Sequence, residues 1–257
     1  MNNKIKNMRR FGLITIAGFL TLGSCNKDFF EVEDPNGIDA AIWDNAGAID
    51  LLLNRLYDLT IPTWPVTGGI HNTSDELNNA NTAFLYGTLV ENSVTDIGTG
   101  NTLTTNRYFD ISRCNLAIDG INNKSTLPKE ITDPLKGQFY FIRAYVYLRL
   151  VTLYGGVPLI LQPLDISNDE LNVPRSSSSA CMASIARDLD SAAAYLPKLW
   201  TGANIGRITR STALAYKGKA LLYWASPQFN PTNLSDRWTA AYNACKAAYD
   251  SSVADGY

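Results

Sequence analysis

The residues best suited to chemistry lie in and just after the stretch from Ile61 to Thr104, which is rich in Asn, Thr and Gly. An irregular stretch this long is uncommon in a compact domain unless it is functional or contains short elements. The side chains that stand out there are Trp64, His71, Asp75 and Tyr86, with Arg107 just beyond the far edge. Binding residues concentrate on loops carried by a rigid scaffold. The pattern therefore indicates a binding surface.

Little in these residues favours bond chemistry. His71 is the only histidine of the chain and has no cysteine nearby, so it has no partner for a metal or catalytic pair. Asp75 and Glu76 are adjacent, and in an extended chain their carboxylates point to opposite sides. No GxSxG, HExxH or phosphate-binding glycine loop occurs. We therefore expect a protein that is not an enzyme and has no cofactor or metal.

The charge pattern excludes a further class of partner. Residues 1–24 carry four positive charges and no acid, and the rest of the chain has a net charge of −6. An acidic body without a basic stripe argues against nucleic acid as the partner. The 257 residues are 46% apolar and 18% charged, which is typical of a globular protein.

The N-terminus has the pattern of an export signal. Four basic residues precede the apolar run from Phe11 to Leu22, which at twelve residues is too short to span a bilayer. The following Leu22-Gly23-Ser24-Cys25 is similar to the lipobox of bacterial lipoproteins, where cleavage precedes an acylated cysteine. We predict a lipoprotein signal peptide over 1–24, an acylated tether over 25–42 and anchoring to the lipid bilayer through Cys25. The alternative is a plain secretory signal followed by a coincidental cysteine.

The remaining three cysteines, Cys114, Cys181 and Cys245, are odd in number and far apart. No CxxC or Cys/His spacing occurs, so neither a disulfide framework nor a zinc site is indicated. We expect buried free thiols.

After the tether the apolar period is helical. We predict six helices: from Asp44 to before Pro62, over 105–122, from Asp133 to Gly155, over 178–196, from Thr209 to before Pro227, and from Ser235 onward. Asp44 and Asp133 are the expected N-caps of the first and third helices, with Pro134 at the first helical position.

Several large side chains follow these helical stripes. Trp238 and Tyr249 are expected in the core. Trp43 packs either against this protein's own core or against a partner. Arg143 lies on the apolar third helix and is expected to pair with a carboxylate, for which Asp188 and Asp190 are the candidates. The fold class is mainly α, with tetratricopeptide-like helical pairs, no strict 34-residue consensus, and a long irregular loop region.

Motifs along the whole chain resemble the SusD/RagB family. They occur in the family's order: the lipobox ending at Cys25, Asp75-Glu76, Tyr108–Ile111 with Asn115, Ile142–Tyr145 leading to Leu153–Pro158, Ile185–Leu189, and Gly206–Thr209 leading to Ala213 and Leu221–Tyr223. The resemblance covers only the N-terminal part of the family, so the chain looks truncated, with 43–257 as a SusD-like N-terminal α-helical domain.

The resemblance implies a surface-exposed lipoprotein of the cell outer membrane that faces the exterior. It would bind nutrient oligosaccharides and deliver them to a SusC-type TonB-dependent transporter. Two alternatives are a helical-repeat adaptor of an outer-membrane complex without its own ligand, and a binder of peptides instead of glycans.

Sugar recognition requires a flat aromatic ring for the pyranose face and polar groups for its hydroxyls. The candidates fall into two groups: Trp64 and Tyr86 for stacking, and Asp75, Asn81, Asn101 and Arg107 for hydrogen bonding. In the starch-binding type a tryptophan closely follows the Asp-Glu pair, whereas Leu77–Ala80 stands here. This departure argues against starch as the ligand.

Overall fold

Helices dominate the part of the protein described by the computed structural model, which comprises residues 40–61, 86, 88, 106–164 and 172–257. The α-helices within these ranges are α1 (Ala46–Thr60), α2 (Arg107–Asn123), α3 (Lys129–Tyr154), α4 (Ser178–Tyr195), α5 (Arg210–Ala225) and α6 (Ser235–Asp255). Short 3₁₀ helices cover Ala40–Asp44 and Gly202–Asn204. The described ranges contain no β-strand, and no helix in them is long and apolar enough to cross a membrane.

Four of the six described helices begin at a side-chain cap, whereas α3 and α6 have none. Ser177 caps α4 and Thr209 caps α5, each accepting a backbone N–H three residues later. The cap of α1 is Asn45, so the prediction of Asp44 was wrong. Asp44 instead accepts the backbone N–H of Thr126 at 2.6 Å and so fastens the entry to α1 against the chain after α2.

Helix α3 starts one turn earlier than its sequence suggests. Pro128, not Asp133, is the residue before the helix, and Pro134 lies inside it. The Pro128 carbonyl accepts the N–H groups of Ile131 and Thr132, so the first turn closes upstream of Pro134. Gly155 ends the helix with φ of +69°, a conformation that favours glycine.

Each helix packs against its sequence neighbour in an antiparallel array. In the α5–α6 pair, Arg210 at the start of α5 meets Asp255 at the end of α6, and Trp224 at the other end meets Arg237. Packing continues from α6 through α5 and α4 to α3, and both α1 and α2 also pack against α3. Residues Ala40–Tyr257 form one compact unit. The predicted mainly α, tetratricopeptide-like class is confirmed.

The core centres on α3, where Phe139, Ile142 and Tyr147 are fully buried. Trp43 belongs to this protein's own core, because its ring lies on Gly120 of α2. A Cβ atom at Gly120 would come within 2.3 Å of that ring, so only glycine fits there.

The outermost helix departs from the prediction. Cys114 and Cys181 are buried thiols as expected, but Cys245 is exposed. Trp238 and Tyr249 are exposed as well, so their assignment to the core was wrong. The reason is that α6 contacts α5 alone among the described helices, and the residues buried at that contact are Ala241, Ala248 and Asp255.

Candidate functional site

The expected ligand-binding residues lie mostly outside the described part of the chain. This holds for Trp64, Asp75, Asn81 and Asn101, and also for the expected lipidation site, Cys25. Tyr86 is described and is 79% exposed, which leaves its ring accessible for stacking. The roles assigned to these residues stay predictions.

Arg107 is a candidate with several contacts among the described residues. Its Nη1 donates to the Leu59 carbonyl at 2.7 Å and to Asp110 Oδ2 at 3.0 Å. Arg113 donates to the other Asp110 oxygen at 3.0 Å. The side chain of Arg107 is largely buried, and its Nε has no hydrogen-bond acceptor among the described residues. Arg107 therefore joins the end of α1 to the start of α2, the two helices that flank the Asn- and Thr-rich stretch.

A buried polar network centres on Arg143 of α3. Its Nε and Nη2 donate to the two carboxylate oxygens of Asp188 on α4, each at 2.7 Å. Its Nη1 donates to Asn115 Oδ1 on α2 at 2.8 Å and to the Leu161 carbonyl at 3.0 Å. Of the two expected partners, Asp188 is therefore the correct one and Asp190 is not. One side chain links three helices to the segment that follows α3.

That segment, residues 157–162, is extended and held by its backbone. Asn115 Nδ2 donates to the carbonyls of Ile160 and Gln162, at 2.9 and 3.2 Å. The Tyr147 hydroxyl donates to the Ile160 carbonyl and accepts the Ile160 N–H. The Tyr108 hydroxyl donates to the Pro158 carbonyl at 3.1 Å. The segment is therefore fixed by side chains of α2 and α3 without belonging to a sheet.

The turn that leads into this segment depends on close backbone approach. A Cβ atom at Gly156 would lie 2.0 Å from the Ser176 carbonyl oxygen, so no larger residue fits without a backbone shift. Arg175 donates to the carbonyls of Gly156 and Tyr154 and so closes the same turn. The Gly155-Gly156-Val157-Pro158 motif is thus a structural turn.

A cavity of about 430 Å³ opens beside the extended segment. Its lining is mostly aliphatic, with two carboxamides: Leu159, Ile160, Leu161, Gln162, Leu164, Asn172, Val173 and Pro174. The sequence analysis missed this cavity. The available signal was the apolar run after Gly156, which is too short and too close to Pro158 to be helical. The described residues of the lining include no aromatic ring and no charged side chain.

The pKa values of the buried groups in and around this network are shifted further from neutral pH. Burial alone would lower the pKa of Arg143, but the hydrogen bonds and charge of Asp188 raise that pKa above its usual value. Burial raises the pKa of Tyr108 to about 12, and it raises the pKa of Tyr147 and of the Cys114 thiol as well. These groups keep one protonation state around neutral pH. No cluster of His, Cys, Asp or Glu that could hold a metal occurs among the residues described.

The antiparallel helical array, with its fixed segment between α3 and α4, defines the class: a mainly α protein with tetratricopeptide-like helical pairs. Residues 28–222 match the sequence profile of a SusD-like family described as "Starch-binding associating with outer membrane". This match covers most of the chain, and the protein belongs to the SusD-like family.

Individual relatives agree with this assignment. A SusD-like protein of Formosa agariphila is 22% identical over 139 residues, which cover 54% of this chain and 24% of the relative. The crystal structure of a SusD-like protein of Bacteroides fragilis superposes with a TM-score of 0.65 at 23% identity, covering 86% of this chain and 40% of that one. A laminarin-binding SusD-like protein gives a TM-score of 0.54 at 22% identity, with 72% and 41% covered. The chain therefore spans about two-fifths of these solved relatives.

Proposed function

We propose that this chain belongs to a lipid-anchored outer-membrane protein that captures nutrient oligosaccharides and delivers them to a SusC-type TonB-dependent transporter. The observation that carries the proposal is the family match over residues 28–222. The structural likeness to a laminarin-binding protein supports a glycan as the ligand class. Residues 1–24 would be the signal peptide, 25–42 the acylated tether that begins with Cys25, and 43–257 the folded domain, facing the cell exterior.

The ligand site we propose lies in the stretch between α1 and α2. Trp64 and Tyr86 would stack on pyranose rings, while four polar side chains would bond sugar hydroxyls: Asp75, Asn81, Asn101 and Arg107. The high exposure of Tyr86 supports this role. The protein would perform no bond chemistry. Because a few rings and hydrogen bonds carry the binding, we expect dissociation constants of about micromolar to millimolar.

Native affinity gels containing laminarin, starch or another soluble glycan test this function. We expect one glycan class to retard the chain from residue 25 onward. Trp64→Ala and Tyr86→Ala should each relieve the retardation while leaving the melting temperature unchanged. Tyr223→Ala, which removes an exposed ring from α5, is the matched control and should behave as wild type. The proposal fails if no glycan slows the wild-type chain, and the assigned site fails if both variants are retarded like the wild type.

A further inference from the structure

Helix α1 leads directly into the proposed ligand stretch, and one side of it is held by a loop 157 residues further along the chain. The Arg207 guanidinium donates from Nη1 to Asp50 Oδ1 at 2.6 Å and from Nη2 to Asp50 Oδ2 at 2.9 Å. Its Nη2 also donates to Asn54 Oδ1 at 2.9 Å. The Tyr57 hydroxyl accepts the backbone N–H of Ile208 at 3.1 Å. We name these contacts between α1 and the loop before α5 the α1 clasp.

The clasp residues of α1 lie on one stripe of the helix. Asp50, Asn54 and Tyr57 are spaced by four and three residues, so they share a face. The buried apolar residues of α1 form a separate stripe beside it: Ile49, Leu53 and Leu56. The apolar stripe therefore packs α1 into the core, whereas the polar stripe binds one particular loop.

The clasp connects α1 to the second half of the helical array. Among the described elements, α1 packs against α2, α3 and the first 3₁₀ helix, and it makes no helix–helix contact with α4, α5 or α6. The loop that supplies the clasp is itself fixed, because the Trp200 indole N–H donates to the Ile208 carbonyl at 2.8 Å. On the other side, the Tyr57 hydroxyl donates to the fully buried Gln138 of α3 at 2.7 Å. The clasp therefore ties α1 to two fixed parts of the fold.

The clasp acts close to the end of α1. Tyr57 lies in the last turn of the helix, which ends at Thr60, and Arg107 donates to the Leu59 carbonyl in the same turn. Asp50 is only about 15 Å from Thr60 along the helix axis. Because the helix is continuous over this span, a shift of its polar stripe also shifts the point at which the proposed ligand stretch begins.

The clasp is suited to fixing a position more than to stabilising the fold. The side chains of Arg207 and Asp50 are 16% and 35% exposed, and a partly exposed ion pair contributes little to the free energy of unfolding. The apolar stripe of α1 is fully buried and is independent of the clasp. Loss of the clasp should therefore leave the chain folded and increase the local motion of α1.

We propose that Arg207 is a positioning residue for the proposed glycan site. By binding Asp50 and Asn54 it holds α1, and with it the start of the stretch from Ile61 to Thr104, in the arrangement that binds ligand. This inference rests on the proposed function, and Arg207 itself does not contact the ligand in this role. If the clasp is open in part of the molecules, the apparent dissociation constant rises in inverse proportion to the fraction that is closed.

Arg207→Gln in the chain from residue 25 onward tests the proposal with two readouts. Hydrogen–deuterium exchange measured by mass spectrometry should be about threefold faster or more in the last turn of α1. In native affinity gels with the glycan that retards the wild type, the dissociation constant should rise by about the same factor. The melting temperature should fall by less than about 5 °C, so a merely structural role would leave the affinity well below that temperature unchanged. Asp50→Ala should have the same effect, and the double variant should bind no more weakly than Arg207→Gln alone.

Arg55→Gln is the matched control, because it removes an exposed ion pair with Asp58 from the same helix and should leave both readouts as in the wild type. The proposal is overturned if Arg207→Gln leaves the exchange of α1 unchanged, whether or not a glycan binds. It is also overturned if exchange becomes faster but the affinity stays the same, or if Arg55→Gln weakens binding equally. If no glycan retards the wild type, the proposed function fails and the positioning role fails with it, and the exchange measurement still shows whether the clasp holds α1.

Discussion

The ion pair between Arg143 and Asp188 should be the most sensitive point of the scaffold. Their side chains are 5% and 9% exposed, and both oxygens of Asp188 accept from the guanidinium. Removing one partner of a buried pair costs about 3–5 kcal/mol, because the other charge stays buried without compensation. In Asp188→Ala the guanidinium keeps its bonds to Asn115 and Leu161, so we expect a loss near the lower end, about 3 kcal/mol. For a chain of this size the melting temperature should fall by about 6–12 °C.

Urea denaturation of the two single variants and the double variant measures this loss. Arg143→Met combined with Asp188→Ala should cost less than the sum of the single losses, by at least about 1 kcal/mol, since the double variant leaves no unpaired charge. Asp190→Ala is the matched control on the same helix, because Asp190 is exposed and pairs with Lys217 at the surface. Its loss should be under about 1 kcal/mol. The reasoning is refuted if Asp188→Ala destabilises the protein no more than Asp190→Ala.

Three further predictions concern Tyr57, Gly156 and Cys25. Burial raises the pKa of Tyr57 to about 12, against 10.0 for a free tyrosine, so the unfolded state loses this proton first and stability should fall as pH rises from 10 to 12. Tyr57→Phe should lower the free energy of unfolding by about 1–2 kcal/mol at neutral pH, because a buried hydrogen-bonding hydroxyl is lost. Between pH 10 and 12 the variant should then lose less stability than the wild type in denaturation curves. A variant with the same pH profile as the wild type would contradict this. Gly156→Ala should cost about 1–3 kcal/mol, because its Cβ would lie 2.0 Å from the Ser176 carbonyl oxygen. Gly47→Ala should cost less, because its Cβ would meet only the Asn45 side-chain oxygen, at 3.3 Å. Equal melting temperatures for the two variants would be the contrary result. Cys25→Ser should move the protein from the membrane fraction to the soluble fraction, and continued retention would argue against acylation.

The helices were largely predictable because their signals are local. Apolar residues at spacings of three and four depend only on neighbouring residues, whereas the two predicted caps, Asp44 and Asp133, were both wrong. The start of α3 was misjudged because Asp133 followed by Pro134 also fits a helix N-terminus, and only the carbonyl of Pro128 decides between the two starts. The first residue of α3 therefore depends on backbone hydrogen bonds that the sequence pattern does not reveal.

The exposure of α6 was not predictable for a different reason. A stripe of apolar residues predicts that one face of a helix is buried, but it does not predict which element covers that face. Trp238 and Tyr249 have the spacing of core residues and yet lie at the surface of the described array, because the α5 contact uses Ala241 and Ala248 instead. The helical spacing of Trp238 and Tyr249 was therefore recognised correctly, but the prediction that a neighbouring helix buries them was wrong.

The residues that carry the family resemblance differ in kind from the residues expected to bind ligand. Arg143, Asn115 and Gly156 hold the segment after α3 and its turn, and the side chains of Arg143 and Asn115 are buried. Asp188, which completes the network, comes from another of the matching motifs. A chain that keeps these residues keeps the scaffold whatever ligand it binds. We propose that the choice of ligand resides instead in the Asn- and Thr-rich stretch between α1 and α2, which contains the candidates Trp64 and Tyr86. Variants in the network should consequently change stability before affinity, while variants of Trp64 or Tyr86 should change affinity alone.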